Sequence, residues 1–302
     1  MNEILVVGSV ALDTVKTPFG EAREALGGSA TYASYSASFF ASVRMVGVVG
    51  DDFPPQHIQL LKDRGVQTEG LQVVPGKTFR WAGSYEYDLN EAHTLATELN
   101  VFETFRPQIP AAYKNTDFVF LANIDPELQL AVLDQVARPK LVACDSMNLW
   151  IKLKPQKLRE VMKKVDFLFL NDGEARQFTN TPSLIKAGRL LQSWGPRCVI
   201  IKKGEHGALM FGEKSFFAAP AFPLEEVYDP TGAGDTFAGG FFGYLAKHGG
   251  DTSDASLRRA VVHGTVMASF TVEKFSLERL KTLTIDQLDN RVRLLKELSH
   301  FD

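Results

Sequence analysis

Cysteine, net charge and long apolar runs are all scarce in this chain of 302 residues. The two cysteines, Cys144 and Cys198, lie in short apolar runs typical of buried strands, so we expect both side chains to be packed in the core. This pattern fits a protein of the reducing cytoplasm. A net charge of -3 gives no reason to expect a nucleic acid partner. The first residues contain Glu3 and only a short apolar run, unlike a signal peptide, and no later run is long enough to span a membrane.

Two common nucleotide-binding signatures are also missing. No GxxxxGK[ST] string occurs in the sequence, which disfavours a P-loop kinase. The first apolar run ends in GSVALD, which lacks the glycines that would admit a pyrophosphate. This disfavours an oxidoreductase that uses a dinucleotide.

Short β-branched and aromatic runs alternate with amphipathic segments along most of the chain. The runs FVFLA, LVACD, FLFL and CVII are almost continuously apolar, as expected of parallel strands that are covered on both faces. The length permits one large domain. We therefore predict a single domain over residues 1–302, with a three-layer α/β/α core.

Two stretches break this alternation, at about residues 12–26 and 72–105. Both alternate polar and apolar residues at period two without a helix between them, which predicts antiparallel strands outside the core. A small sheet built from these insertions would lie over one end of the parallel sheet and act as a lid. A surface hairpin without a function fits the same pattern.

The segment DPTGAGD, from Asp229 to Asp235, carries the clearest chemical signal. Its glycines permit a tight turn before a helix, where the N–H groups of Gly232, Ala233 and Gly234 converge on an anion. A carboxylate would repel a bound phosphate, but its presence is explained if Asp235 accepts the proton of an attacking hydroxyl. The alternative is that Asp235 only caps the helix.

This segment resembles the second signature of the ribokinase-like carbohydrate kinases, the PfkB family, with Pro230 in place of a Thr. The family's diglycine motif GGxxxN is similar to Gly27, Gly28 and the residues that follow, although Tyr32 stands where the family has Asn. The resemblance implies that these three residues, together with Asp13 in GSVALD, bind the substrate.

Two further segments match the family in the expected order. Asn171 and Glu174 match its N-x-x-E motif, which implies that they handle Mg²⁺ and phosphate, more plausibly through metal-bound water than directly. The segment KKGEHG resembles the family's nucleotide loop, which implies that Lys203, Gly204 and Gly207 contact ATP. Each string taken alone also fits an ordinary turn.

Two single residues complete the candidates. His263 lies on the late helix that lines the adenine pocket in the family, although a packed histidine is the commoner case. Asp229 matches the acidic residue that many family members use at a K⁺ site, which implies that K⁺ activates the protein.

The resemblance implies a ribokinase-like core with a lid, and transfer of the γ-phosphoryl group of ATP to a hydroxyl. The expected acceptor is a small sugar or a sugar-like molecule, phosphorylated at a hydroxymethyl group, and nucleosides and cyclitols remain alternatives. A non-catalytic sugar-binding or nucleotide-binding regulator is less favoured, because a pure binder has no use for Asp235. We expect a monomer, or a homodimer formed through the lid.

Overall fold

The computed structural model describes residues 2–213 and 215–300. Its strands are β1 (Glu3–Val7), β2 (Ala11–Thr17), β3 (Gly20–Gly27), β4 (Ser42–Gly50), β5 (Val66–Val74), β6 (Phe79–Tyr85), β7 (Ala92–Glu98), β8 (Phe118–Leu121), β9 (Leu141–Asp145), β10 (Phe167–Asn171), β11 (Cys198–Lys202), β12 (Ala208–Phe211) and β13 (Phe216–Ala219). Its helices are α1 (Ser29–Ala37), α2 (Pro55–Asp63), α3 (Pro126–Leu133), α4 (Asn148–Leu153), α5 (Pro155–Met162), α6 (Asp172–Thr179), α7 (Leu184–Ser193), α8 (Ala233–Lys247), α9 (Asp254–Thr271), α10 (Glu278–Lys281) and α11 (Ile285–Ser299).

The larger sheet runs in the order β13-β12-β11-β10-β9-β8-β1-β4-β5 in the part of the chain that the structure describes. The strands from β11 to β5 pair in parallel, while β12 and β13 add an antiparallel edge. Parallel strands need crossover connections, and the helices between them supply these crossovers.

Successive residues of the central strands enter two different cores. Ile4 and Val6 of β1 pack with α1, α2 and α8–α11, whereas Leu5 and Val7 pack with α3–α7 on the other face. Burial on both faces removes the polar alternation of a half-exposed strand, which explains the continuous apolar runs. The predicted three-layer core is confirmed. None of the described helices is long and apolar enough to cross a bilayer.

There is a second sheet of four strands, in the order β3-β2-β6-β7, which we call the lid sheet after its predicted role. The hairpins β2–β3 and β6–β7 are antiparallel, as the period-two pattern predicts, but the central pair β2–β6 is parallel. The predicted lid stretch of 72–105 is too long at both ends. Residues 72–74 belong to β5, where Val73 pairs with Val49 of the larger sheet, and β7 ends at Glu98.

Candidate active site

Three neighbouring strands end in polar residues at one edge of the larger sheet. Asp145 is the last residue of β9, Asn171 of β10 and Lys202 of β11. Asn171 pairs in register with Lys202. Asp145 pairs with Phe169, which lies two residues before Asn171 in β10. Since ligands of open α/β sheets bind outside the carboxyl ends of the strands, this edge is the expected place for a site.

Residues 229–235 form a turn before α8, which we call the anion turn. Gly232 has a φ of 75°, in the left-handed region that favours glycine. The N–H of Ala233 donates to the Pro230 carbonyl at 3.2 Å. The N–H groups of Gly234 and Asp235 have no acceptor within residues 2–213 and 215–300. These two donors, at the positive end of the α8 dipole, suit a phosphoryl oxygen.

Asp235 lies in the first turn of α8. Burial, followed by repulsion from the Asp145 carboxylate, raises the pKa of Asp235 to about 7, although the Lys202 ammonium opposes the shift. A general base works best when its pKa is near the operating pH. The chemistry predicted from the sequence for Asp235 therefore fits its surroundings.

Lys202 and Asp145 form a buried ion pair, with Lys202 Nζ 2.6 Å from Asp145 Oδ2. Burial alone would lower the pKa of Lys202, but the carboxylates of Asp145, Glu174 and Asp235 outweigh it and raise that pKa. The ammonium thus stays protonated among three acidic groups. The sequence analysis missed Asp145, and it included Lys202 in the KKGEHG segment but selected Lys203 as the contact to ATP. Both residues could have been found from the sequence, because each is a charged residue at the end of an apolar strand.

Asn171 and Glu174 form a capping box at the start of α6. Asn171 Oδ1 accepts the Glu174 N–H at 2.7 Å, and Glu174 Oε2 accepts the Asn171 N–H at 2.7 Å. Burial raises the pKa of Glu174 to about 7, with Asp145 adding to the shift and Lys202 opposing it. The Asn171 amide oxygen and one Glu174 oxygen are therefore engaged with the backbone, and the other Glu174 oxygen makes no hydrogen bond within residues 2–213 and 215–300.

Asp13 of β2 is buried near Asp229 and Asp235, on the side of the site that the lid sheet forms. Burial, followed by the charge of Asp229, raises the pKa of Asp13 to about 7, although the Gly28 amide opposes the shift. A Cβ on Gly27 would lie 1.9 Å from Asp13 Oδ2, so the carboxylate requires glycine at this position. Gly28, at the start of α1, has a φ of 95°. The two glycines therefore shape the space around Asp13.

Tyr32 is only 2% exposed and packs in the core under the anion turn. A Cβ on Gly232 would lie 2.4 Å from the Tyr32 ring, so the ring lies flat against this glycine. Burial and the nearby carboxylates of Asp229 and Asp13 raise the pKa of Tyr32. The ring is thus a packing element, and only the hydroxyl end approaches the acidic groups.

Asp229 uses both carboxylate oxygens within the protein. Oδ1 accepts the Thr231 N–H at 2.9 Å, and Oδ2 accepts the Ser276 N–H at 3.3 Å. It lies beside Asp13, whereas Glu174 lies beside Lys202 and Asp235. Asp229, predicted for K⁺, therefore lies apart from Asn171 and Glu174, which are predicted for Mg²⁺. Within residues 2–213 and 215–300, no group of three or more His, Cys, Asp or Glu side chains is arranged to hold a metal.

The lid sheet contacts the core at two points around this site. The Thr231 hydroxyl of the anion turn donates to the hydroxyl of Tyr85, the last residue of β6, at 3.2 Å. The Asn90 amide of the β6–β7 turn donates to Glu205 at 3.4 Å. The lid sheet therefore lies over the anion turn and reaches the loop that follows β11.

The predicted nucleotide residues lie in two different places. Gly204 and Gly207 have φ values of 54° and 78° in the loop between β11 and β12, next to Lys203 and close to the site edge. The ring centroids of His263 and Tyr244 lie 4.4 Å apart with the planes tilted by 30°, and His263 Nδ1 lies 2.8 Å from the Arg259 carbonyl. It lies about 12 Å along α9 from Thr271, which contacts the start of α8. His263 therefore lies away from the anion turn and packs on Tyr244, and its place beside the adenine ring stays a prediction.

Comparisons with known proteins agree with this geometry. The model of the pfkB family of carbohydrate kinases matches residues 1–282. The cytidine kinase of Thermococcus kodakarensis is 34% identical over 249 residues, which cover 80% of this chain and 87% of that protein. The ribokinase of Bacillus subtilis is 28% identical over 282 residues, covering 86% and 90%.

The fold is shared with a nucleoside kinase of Burkholderia thailandensis solved in complex with ADP-inosine. The TM-score is 0.80 at 18% sequence identity, and the match covers 97% of this chain and 95% of that chain. The chain therefore belongs to the pfkB family of carbohydrate kinases, and it is an ATP-dependent kinase of a sugar or a nucleoside.

Proposed function

We propose that the acceptor is a nucleoside, phosphorylated at the hydroxymethyl group of its sugar, and that Asp235 is the general base. The observation that carries the choice of acceptor is the position of Trp81 in the lid sheet. Trp81 pairs in register with Asp13, so the two side chains lie side by side on one face of the sheet.

The Trp81 indole lies over Gly83 and leaves a flat apolar surface beside the acidic group. A Cβ on Gly83 would lie 2.2 Å from the Trp81 ring, and Trp81 Nε1 donates to Thr94 at 3.2 Å, which fixes the ring. Trp81 is partly exposed, whereas Asp13 is buried. A nucleoside offers a ring to stack on the indole and sugar hydroxyls to donate to Asp13.

The relatives support the same choice. The cytidine kinase of Thermococcus kodakarensis is more similar to this chain than the ribokinase of Bacillus subtilis, at 34% against 28% identity. Because the chain is also similar to the ribokinase, a free pentose is the second candidate acceptor. A pentose would use Asp13 and leave the indole without a partner.

The reaction assigned to these residues is a single displacement. The acceptor oxygen forms a bond to the γ-phosphorus, the bond from that phosphorus to the bridging oxygen breaks, and ADP leaves. Asp235 takes the proton of the acceptor hydroxyl, while the N–H groups of Gly234 and Asp235 donate to the transferring phosphoryl group. Closure of the lid sheet over the anion turn keeps water from competing as the acceptor.

We also propose that the enzyme requires Mg²⁺, held through water by the free Glu174 oxygen. The ion would neutralise charge on the phosphate oxygens of ATP. Activation by K⁺ beside Asp229 remains a prediction, and the two N–H groups on that carboxylate leave it fewer lone pairs for a cation. Rates in K⁺, Na⁺ and tetramethylammonium buffers test it, and equal rates would contradict it.

The cellular location and the assembly belong to the same proposal. Two buried, unpaired cysteines support a cytoplasmic protein. All seven residues of β7 are exposed, and Leu95 is 66% exposed, which supports a homodimer formed through the lid sheet over a monomer. Light scattering on the wild type and Leu95→Lys separates the two states. A monomeric wild type would contradict the dimer.

An ADP-release screen over nucleosides, pentoses, hexoses and inositols tests the acceptor. We expect a nucleoside to give the highest kcat/KM. Trp81→Ala should raise the KM for that nucleoside about tenfold or more, since stacking contributes roughly 1–3 kcal/mol per base, and Trp81→Phe should restore most of it. Higher activity on a free pentose, unaffected by Trp81→Ala, would overturn the proposal in favour of a sugar kinase.

A further inference from the structure

We propose that Tyr85 binds the acceptor by donating a hydrogen bond from its hydroxyl to a ring hydroxyl of the nucleoside sugar, and that Thr231 is the positioning residue that aims this hydroxyl. The role rests on the proposed function, because it takes the acceptor to be a nucleoside. It narrows the acceptor from a nucleoside to a ribonucleoside, whose sugar carries both the 2′ and the 3′ hydroxyl.

The face of the lid sheet that carries Tyr85 is the first observation. Side chains alternate along a strand, so Trp81, Gly83 and Tyr85 of β6 share one face. Trp81 pairs in register with Asp13, which places the Asp13 carboxylate on the same face. The Trp81 ring lies over Gly83, on the way to Tyr85, since a Cβ on this glycine would be 2.2 Å from the ring. A base stacked on the indole would therefore bring its sugar close to both Asp13 and Tyr85.

The second observation is the way the Tyr85 hydroxyl is held. The Thr231 hydroxyl of the anion turn donates to the Tyr85 oxygen at 3.2 Å. A phenol hydroxyl can accept a hydrogen bond and also donate its own proton. In the described part of the chain, residues 2–213 and 215–300, the Tyr85 proton has no acceptor. Tyr85 therefore offers the site a fixed hydrogen-bond donor that these residues do not use.

The third observation is the chemistry of the groups around this hydroxyl. Burial, followed by the charges of Asp229, Asp13 and Asp235, raises the pKa of Tyr85 to about 12, although the Thr231 hydroxyl opposes the shift. Tyr85 thus keeps its proton at neutral pH and acts as a donor, not as a second base. The carboxylates around it, when ionised, can only accept. A sugar hydroxyl that donates its proton to Asp13 keeps two lone pairs, and Tyr85 can donate to one of them.

Tyr32 directs a second hydroxyl towards the same carboxylates, from the side of the core. Its ring is 2% exposed and packs against Gly232, whereas Tyr85 is partly exposed. Of these two tyrosines, only Tyr85 belongs to the sheet that carries Trp81. An entering sugar therefore meets Tyr85 and not Tyr32.

Tyr85→Phe is the direct test, assayed with the best ribonucleoside and with its 2′-deoxy and 3′-deoxy forms. The change removes the hydroxyl and keeps the ring, so kcat/KM for the ribonucleoside should fall about 3–10-fold, the loss typical of one uncharged hydrogen bond. With the deoxy form that lacks the bound hydroxyl, variant and wild type should agree within about twofold. An equal loss on all three acceptors, or no loss on any, would overturn the proposal, since the hydroxyl would then only fasten the lid sheet to Thr231.

Tyr228→Phe is a matched control where the β2–β3 turn meets the core. The Tyr228 ring centroid lies 5.5 Å from that of Phe19 in this turn, and its hydroxyl donates to Glu226 at 2.9 Å. The change removes a tyrosine hydroxyl beside the lid sheet without removing a donor from the site. We expect kcat/KM to change by less than about twofold, and equally on all three acceptors. The same acceptor-dependent loss as in Tyr85→Phe would point to movement of the lid sheet and overturn the contact with the sugar.

Thr231→Val keeps the test decisive if Tyr85→Phe fails to fold. Valine is close to threonine in shape but has no hydroxyl, so Tyr85 loses the bond that aims it. The ratio of kcat/KM between the ribonucleoside and the deoxy form that lacks the bound hydroxyl should shrink about 2–5-fold. An unchanged ratio would contradict the role of Thr231 and Tyr85.

The same variants separate this role from the choice of acceptor. If the ADP-release screen selects a free pentose, they are assayed with ribose and its 2-deoxy and 3-deoxy forms. A Tyr85→Phe loss that disappears with one deoxy form would then retain the role of Tyr85 although the nucleoside proposal fails. A nucleoside as best acceptor, with an equal Tyr85→Phe loss on its deoxy forms, would retain the proposed function and overturn the role of Tyr85.

Discussion

The acidic residues on the two sides of Asp235 differ in one respect. On the side of the strand ends, Asp145 and Glu174 surround Lys202, so a buried cation balances part of their charge. On the side of the lid sheet, Asp13 and Asp229 form no ion pair within residues 2–213 and 215–300. One side contains a buried cation, and the other has carboxylates that lack a charged partner.

This difference indicates how each substrate is recognised. An unpaired buried carboxylate is costly unless it accepts hydrogen bonds. Hydroxyl groups of the acceptor can supply these bonds without bringing charge. A phosphoryl group carries negative charge, so the cation and the N–H groups of the anion turn match it better. The following changes act on one side, at the boundary between the two sides, or on the packing under the anion turn.

Asp235→Asn, at the boundary between the two sides, should have the largest effect. Loss of the base is expected to lower kcat about 10²–10⁴-fold. The Kd for ATP and the Tm should change little, because the amide is nearly isosteric with the carboxylate. Steady-state kinetics and calorimetry measure both. A variant with nearly wild-type kcat would show that Asp235 only caps α8.

Asp13→Asn removes the charge on the acceptor side. We expect kcat/KM for the acceptor to fall about 10–100-fold, the loss of one charge-assisted hydrogen bond, with little change in the Kd for ATP. The folded-state pKa of Asp13 is raised above 3.8, so ionising it costs stability that is absent below pH 3.8 and complete above about pH 7. The variant should therefore melt higher than wild type at pH 8 and by a smaller margin at pH 5, and equal margins would contradict this.

The pH dependence of kcat/KM should show the next largest effect. Because burial and Asp145 raise the pKa of Asp235 to about 7, kcat/KM should fall about tenfold per pH unit below that value. Asp145→Asn removes a negative neighbour, so it should move this acid limb to lower pH. Rates measured from about pH 5 to pH 9 test the sign. A limb that moves to higher pH would show that Asp145 does not act on Asp235 in this way.

Tyr32→Phe should have the smallest effect. The ring packs against Gly232, so its loss in Tyr32→Ala should cost roughly 3–5 kcal/mol of folding free energy. Tyr32→Phe keeps the ring and should leave Tm and the ranking of acceptors nearly unchanged. If Tyr32→Phe changes the ranking of acceptors at constant Tm, the Tyr32 hydroxyl contacts the acceptor, as predicted from the sequence.

The sequence predicted the three layers because a strand buried on both faces is apolar at every position. The same property hid Lys202. Strand β11 has no polar alternation that would tell which of Lys202 and Lys203 turns inwards, and the sequence analysis selected the second. Only the register with β9 and β10 brings Lys202 to Asp145.

Tyr32 and His263 show a second limit of prediction from sequence. Both lie on helices, where an error of one residue in facing turns a side chain by about 100°. The diglycine motif placed Tyr32 near the acceptor, but the contact of its ring with Gly232 joins segments far apart in the chain. The position of His263 depends on how α9 packs on α8, which no local pattern records.

The parallel pairing of β2 with β6 affects the order in which the lid sheet and the core fold. Strands β2 and β6 come from distant parts of the sequence. The chain between them forms α1, β4 and β5, and β1 precedes β2. Closing so large a loop is entropically costly before the intervening core exists. The two hairpins should therefore join last on refolding and separate first on unfolding, so that backbone amides of β2 and β6 lose protection from hydrogen exchange before those of β1.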